Sequence, residues 1–138
     1  DRINRLIEER LSSSACTLSV DLKPADMSVL ADRHQIEQIL LNLLSNAVDA
    51  VADCPVRQIQ LKGYLDNRRR PVIAVVDSGA GIPAKQLDDI FTPFFTTKES
   101  GSGIGLSLSR QLAHLNRAGL TVRSTVGEGS SFLLVFER

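Results

Sequence analysis

Apolar and polar positions recur along this chain with two different periods, and each change of period marks an element. Residues 2–12 place Ile3, Leu6, Ile7 and Leu11 at helical spacing with charged residues between them, which predicts a first helix. Leu18, Val20 and Leu22 then alternate with polar residues, the pattern of a half-buried strand that Pro24 ends. Val29 and Leu30 suggest a short strand before Asp32. Segment 33–53 carries the strongest helical pattern, with Asp32 as N-cap and Pro55 beyond its end. Ile59, Leu61 and Leu65 alternate through 57–65, and 72–76 is a continuous apolar run, as in a buried central strand. Residues 84–90 predict a short helix. Ile104, Leu108, Leu112 and Leu115 predict a helix over 104–117 with those residues on one apolar face. Two last strands, 120–126 and 131–137, are joined by Gly127-Glu128-Gly129.

This order of elements predicts an α/β (α+β) two-layer sandwich, a mixed sheet of about five strands with about three helices on one face. Neither a repeat nor a low-complexity linker interrupts it, so residues 1–138 read as one domain.

Composition narrows the function. Sixteen basic and sixteen acidic side chains cancel, which argues against nucleic-acid binding through bulk positive charge. No apolar run approaches the roughly 18 residues that span a bilayer, so the segment is not expected to be membrane-embedded. Cys16 and Cys54 are too few for a disulfide scaffold and lack metal-site spacing, which makes the cytoplasm the default compartment. The start at Asp1 without an initiator Met suggests a piece of a longer protein.

Four segments carry candidate chemistry. On the long helix the polar residues Gln35, Gln38, Asn42, Asn46, Asp49 and Asp53 form one narrow stripe, with Asn42, Asn46 and Asp49 at i, i+4, i+7. A solvated face is one reading; yet such faces favour Lys, Glu and Arg, and short oxygen-bearing side chains suit a hard cation such as Mg²⁺. Asp77-Ser78-Gly79-Ala80-Gly81-Ile82 puts a carboxylate at the end of the apolar strand, followed by glycines that allow tight turning or close approach; a plain Asp-Gly turn has the same composition. Phe91 to Lys98 concentrates three phenylalanines before a polar Thr-Thr-Lys; core packing accounts for Phe91 and for at least one of Phe94 and Phe95, and Lys98 offers a point charge for phosphate. Gly101-Ser102-Gly103-Ile104-Gly105-Leu106 opens the last helix, where backbone N–H groups can meet an anion, or where a flexible linker simply caps a helix. It is neither the dinucleotide fingerprint nor a P-loop. Asp66-Asn67-Arg68-Arg69-Arg70 reads as a solvated hairpin tip.

In this order the segments resemble the ATP-binding (catalytic) domain of sensor histidine kinases, a member of the Bergerat-fold superfamily with the topoisomerase, chaperone and mismatch-repair ATPases. Residues 41–50 resemble its asparagine box, 77–82 its first glycine box, 91–98 its phenylalanine box, 101–106 its second glycine box and 127–132 its closing glycine segment. The resemblance implies that Asn46 holds Mg²⁺, with Asn42 beside it as a metal or water contact. It implies that Asp77 accepts from the adenine amine, with Ser130 near Asp77 and its water. Gly79, Gly81 and Ile82 would shape the adenine pocket, and Phe95, Thr97, Ile104 and Leu106 would line the nucleotide. Gly101, Gly103 and Gly105 would meet phosphate, and Thr96 to Ser102 would form a short lid. Asp49 stands where many relatives carry a basic residue, which leaves Lys98 as the catalytic cation. Asn42 stands where ATP-hydrolysing relatives carry a water-activating Glu, and an amide cannot act as a general base.

The implied reaction is transfer of the γ-phosphoryl group of ATP to a histidine on a separate dimerisation hairpin, which in turn serves a response regulator. His34 and His114 read as surface residues, so the fragment alone is expected to lack autokinase activity. Three rival readings remain: a serine kinase of the anti-sigma type on the same fold, a clamp ATPase of the topoisomerase or chaperone type, and a nucleotide-sensing interaction module without catalysis.

Overall fold

The computed structural model of this chain describes residues 17–22, 31–52, 54–87, 89–92 and 105–137. The expected helix over 2–12, the strand at 29–30, Phe94, and the site candidates Phe95, Thr97, Lys98, Gly101, Gly103 and Ile104 lie outside the described residues, as does the expected lid.

Five strands form a mixed sheet: β1 (Thr17–Leu22), β2 (Gln58–Leu65), β3 (Pro71–Asp77), β4 (Ala118–Thr125) and β5 (Gly129–Phe136). They lie in the order β1-β2-β3-β5-β4. β1 runs parallel to β2, and the other pairs are antiparallel. A parallel pair needs a long crossover, and helix α1 (Arg33–Val51) lies in that connection. Helix α2 (Gly105–Leu115) precedes β4.

The N-terminus of α1 follows from its cap: the Asp32 carboxylate accepts the Gln35 N–H at 3.0 Å. Its apolar stripe then buries Ile39, Leu43, Leu44, Ala47, Val48 and Val51 almost completely. Burying a Leu, Ile or Val in full contributes roughly 1.5–3 kcal/mol, so this stripe anchors the helix layer. It packs on one face of the sheet, built from cross-strand rows that the register defines. Ile73, Leu134 and Leu120 form one row, and Leu61, Val75, Phe132 and Val122 the next. Both rows belong to one core with the stripe of α1. The next row on that face is Ile59, Asp77, Ser130 and Ser124, where the core turns polar.

Three expectations are corrected. The buried face of α2 is only partly the leucine stripe: Leu115 is 72% and Leu108 40% exposed, whereas Leu112 packs against the core and Ser109 and Ala113 are fully buried. The buried side is turned about a quarter of the way round the helix from that stripe. The reason is polar attachment to α1. The Asn116 side chain accepts the Asp32 N–H at 2.7 Å and donates to Gln35 Oε1 and the Leu112 carbonyl, each at 2.8 Å. The 84–90 helix contracts to a 3-10 turn, Ala84–Gln86. Among the described residues of that segment only Ile90 is buried, so a longer helix would have no apolar face to cover. In the edge strand β1, Val20 is exposed, and in β2 Leu65 is exposed at the strand end.

At the hairpin tip Asp66 receives the N–H groups of Arg68 (2.9 Å) and Arg70 (2.8 Å) and the Arg70 Nε at 2.8 Å. One of the three tip arginines is therefore a structural partner rather than a free charge.

Candidate functional site: a polar corner of the sheet beside the long helix

Asp77 ends β3, the central strand, and is 5% exposed. Its Oδ1 accepts the Gly79 N–H at 2.9 Å. The Ser130 N–H also serves the carboxylate, and both bonds favour the charged form. Burial outweighs them and pushes the carboxyl above its ordinary value. This is a nearly buried acceptor with donors on its inner side, and it can take a further donor from a ligand.

The loop after Asp77 is held from both sides. A side chain at Gly79 would sit 2.6 Å from the Ala50 carbonyl, so the loop crosses the last turn of α1 at backbone contact. Gly81 has φ +82° and lies against the Thr125 carbonyl. The expected role of these glycines toward the nucleotide is thus joined by a second one: each lets protein backbone approach protein backbone. The Gly127 N–H donates to the Ala80 carbonyl at 2.8 Å, fixing the loop on the β4–β5 turn. Ser78 completes the frame: its Oγ accepts the Gln58 N–H and donates to the Val56 carbonyl, both at 2.9 Å.

Ser130, opposite Asp77 in β5, has its Oγ 2.8 Å from Ser124 Oγ. Ser124 Oγ also accepts the Ile82 N–H at 2.7 Å and donates to the Gly129 carbonyl at 3.0 Å. Asp77, Gly79, Gly81, Ile82 and Ser130 therefore meet at one corner of the sheet. Sequence reasoning missed Ser124. The signal was available, because Ser124 shares its parity with Leu120 and Val122 and is a polar residue at an inward position.

The polar stripe on α1 divides into two uses. Gln35 joins the Asn116 clasp. The Asn42 Oδ1 accepts from Gln38 Nε2 at 3.1 Å, and its Nδ2 donates to Ser109 Oγ at 3.0 Å and to the Gly105 carbonyl at 3.4 Å. Asn42 thereby ties α1 to the first turns of α2, bringing Gly105 and Leu106 of the second glycine box beside the asparagine box. Ser109 and Asn116, both buried, were also missed; each is a polar residue on the inward side of α2. Asn46 is half-buried, one turn before Ala50, and so lies between the α2 contact and the Gly79 crossing. Among the described residues no group of three His, Cys, Asp or Glu side chains forms a metal cage. Asn46 and Asn42 carry side-chain oxygens of the kind that could complete the shell of a cation coordinated largely by phosphate and water.

Phe91 packs edge-on against Phe132 with centroids 6.4 Å apart, and the Arg110 guanidinium lies 4.3 Å over its ring. A cavity of about 570 Å³ on that side is lined by Phe91, Ser107, Arg110, Gln111, His114 and Leu115, none of them an expected site residue. His34 and His114 are exposed, as expected.

A helix-covered mixed sheet, a buried aspartate at the end of its central strand and an asparagine pair on the long helix define the class of nucleotide-binding sandwiches. The chain belongs to the family of histidine kinase-, DNA gyrase B- and HSP90-like ATPases, whose model matches residues 31–138. It is 37% identical over 121 residues to the sensor protein kinase PilS of Pseudomonas aeruginosa, covering 86% of this chain and 23% of that protein. It is 40% identical over 105 residues to the signal transduction histidine-protein kinase AtoS of Escherichia coli, covering 76% of this chain and 17% of that one. The chain thus spans about a fifth of the length of these curated relatives. Among solved structures it resembles the catalytic domain of histidine kinase ThkA, with a TM-score of 0.85, 29% identity, and coverage of 98% of this chain and 87% of that one. The expected fold and family are therefore shown.

Proposed function

We propose that this chain is the ATP-binding catalytic domain of a two-component sensor histidine kinase. In this reading it binds Mg-ATP and donates the γ-phosphoryl group to a histidine on a separate dimerisation hairpin. That hairpin, and through it a response regulator, are its protein partners, and the domain works in the cytoplasm. The observation that carries the nucleotide reading is Asp77, nearly buried and held by N–H groups at the polar edge of the core.

Each residue then has a defined task. Asp77 accepts the hydrogen bond of the adenine amine, and Ser130 supports it beside a water. Gly79, Gly81 and Ile82 wall the base. Asn46, with Asn42 next to it, holds Mg²⁺, which when bound neutralises phosphate charge. Gly101, Gly103 and Gly105 lie along the phosphates, and Phe95, Thr97, Ile104 and Leu106 complete the pocket. Lys98 supplies the free cation at the transferring group. In the transfer an imidazole nitrogen of the acceptor attacks the γ-phosphorus, the bond to the bridging oxygen breaks, and ADP leaves; positioning and charge stabilisation are the protein's contribution. Asn42 leaves water without a general base at that position, which favours transfer over hydrolysis.

Calorimetric titration with Mg-ATP tests the reading. Asp77→Asn should lose a charge-assisted hydrogen bond worth about 1.5–3 kcal/mol, weakening binding roughly 10- to 150-fold. Unchanged affinity would remove Asp77 from the base-reading role.

A further inference from the structure

We propose that Ser124 is a specificity-determining residue: it fixes the direction of the Ser130 hydroxyl, so that the base-reading corner presents only acceptors. The inference rests on the adenine role of Asp77 proposed above and deepens it.

The argument is a count of protons and lone pairs. A serine hydroxyl has one proton and two acceptor sites. Three groups surround Ser124 Oγ: the Ile82 N–H at 2.7 Å, the Gly129 carbonyl at 3.0 Å and Ser130 Oγ at 2.8 Å. An N–H can only donate and a carbonyl can only accept. Ser124 therefore takes the Ile82 proton on one lone pair, and its own proton is assigned to the Gly129 carbonyl, to which it is the donor at 3.0 Å. The bond to Ser130 then uses the remaining lone pair, and Ser130 is its donor. Ser130 has no second proton. Whatever else it meets, it meets as an acceptor.

Ser130 lies between Ser124 and Asp77 in one cross-strand row, with Ser124 in β4 and Asp77 in β3. Ser130 is 6% exposed and Asp77 5%, so bulk water does not reset these directions. The Asp77 carboxylate is an acceptor as well. The corner thus offers acceptors on both strands. It matches a base that presents an amine at this edge and opposes one that presents a carbonyl, because two facing acceptors leave each other unpaired. Gly129 adds rigidity to the lock. Its φ is +113° and it lies directly against the Asp77 carbonyl, so the backbone that takes the Ser124 proton has little freedom to move.

The test compares Mg-ATP with the Mg²⁺ complex of inosine triphosphate, which carries a carbonyl in place of the amine, by calorimetry on the whole chain. In Ser124→Ala the Ser130 proton is released and can turn toward the base. Inosine triphosphate should then bind about 3- to 10-fold more tightly relative to ATP, the worth of one neutral hydrogen bond. A gain of binding is a readout that loss of packing or stability does not produce. Adding Ser130→Ala should abolish the gain, because the hydroxyl that turned is gone. Ser124→Cys keeps the side-chain size and donates only weakly, so it should show a smaller gain and keeps the test open where the alanine variant folds poorly. Inosine triphosphate binding that is unchanged, or that weakens in step with ATP, overturns the role of Ser124. Failure of the underlying reading looks different: wild-type chain would bind the two nucleotides equally, or Asp77→Asn would keep the wild-type preference.

Discussion

Burial of Asp77 disfavours its charged form. Burial raises its pKa, so the folded domain holds that proton more tightly than the unfolded chain does. The linked stabilisation is complete below the unfolded pKa and is lost as pH rises through the folded one. Above the folded pKa the ionised carboxylate is therefore a net burden on the ligand-free fold. Thermal melts should show Asp77→Asn at or above the wild-type melting temperature at neutral pH, with the difference closing as the medium is acidified. A clear loss of stability in the variant at neutral pH would mean that the two N–H bonds to the carboxylate outweigh its burial. ATP binding should also fall away at a higher pH than an ordinary aspartate would give, because the protonated form loses its charge-assisted bond. Asp66 shows the opposite sign: the Arg70 N–H first, and then the Arg70 side chain and Arg68 N–H, lower its pKa. Its charged form helps hold the tip turn above the unfolded pKa, and that help is lost as pH falls through the folded one.

At the scale of elements, α2 is attached by amides as much as by leucines. Asn42 meets its first turn and Asn116 its last, while Leu108 and Leu115 of the leucine stripe face outward. Asn116→Ala would strand the Asp32 N–H at the start of α1 and should cost about 1–3 kcal/mol in urea unfolding. Leu115→Ser should change stability by less than about 0.5 kcal/mol, as an exposed substitution does. Ala113→Leu, at a fully buried position of the same helix, should cost about 1–3 kcal/mol through overpacking. Equal effects at 113 and 115 would contradict the orientation of α2. This rotation was not legible in the periodicity, because Ile104, Leu108, Leu112 and Leu115 satisfy a helical template as well as the true face does. Hydrophobic spacing assumes that burial alone orients a helix. Here Ser109 and Asn116 find partners on α1, and leaving those groups unpaired would cost as much as a leucine repays. The long helix was legible in full, because its cap and a broad apolar stripe agree on one orientation.

For the molecule as a whole, the reading of a kinase half without its acceptor makes a direct prediction. Incubated alone with ATP labelled at the γ-position, the 138-residue chain should carry no acid-labile phosphate, since both histidines in its described residues lie exposed outside the polar corner. Stable self-labelling would overturn the proposal. Net charge is zero, yet a triphosphate site needs only local neutralisation by a cation, a lysine and backbone N–H groups.

Among the described residues the sequence by itself determined the order of the five strands and two α-helices, the identity of the long helix and its cap, and the residue types of the motifs. Those properties are local: they follow from periodicity, capping and glycine placement within a few residues. The tertiary structure alone decided which face of α2 is buried, that Gly79 and Gly81 seat backbone on backbone, and that Ser124 meets Ser130 beside Asp77. These depend on strand register and on hydrogen bonds between residues 42 to 84 positions apart, as in the Ile82–Ser124, Asn42–Ser109 and Asp32–Asn116 bonds. No local pattern encodes a partner so distant in the chain. Only the paired sheet brings β4 alongside β5 and β3, and turns a serine in a surface-like strand into a hydrogen-bond partner of Ser130 beside Asp77.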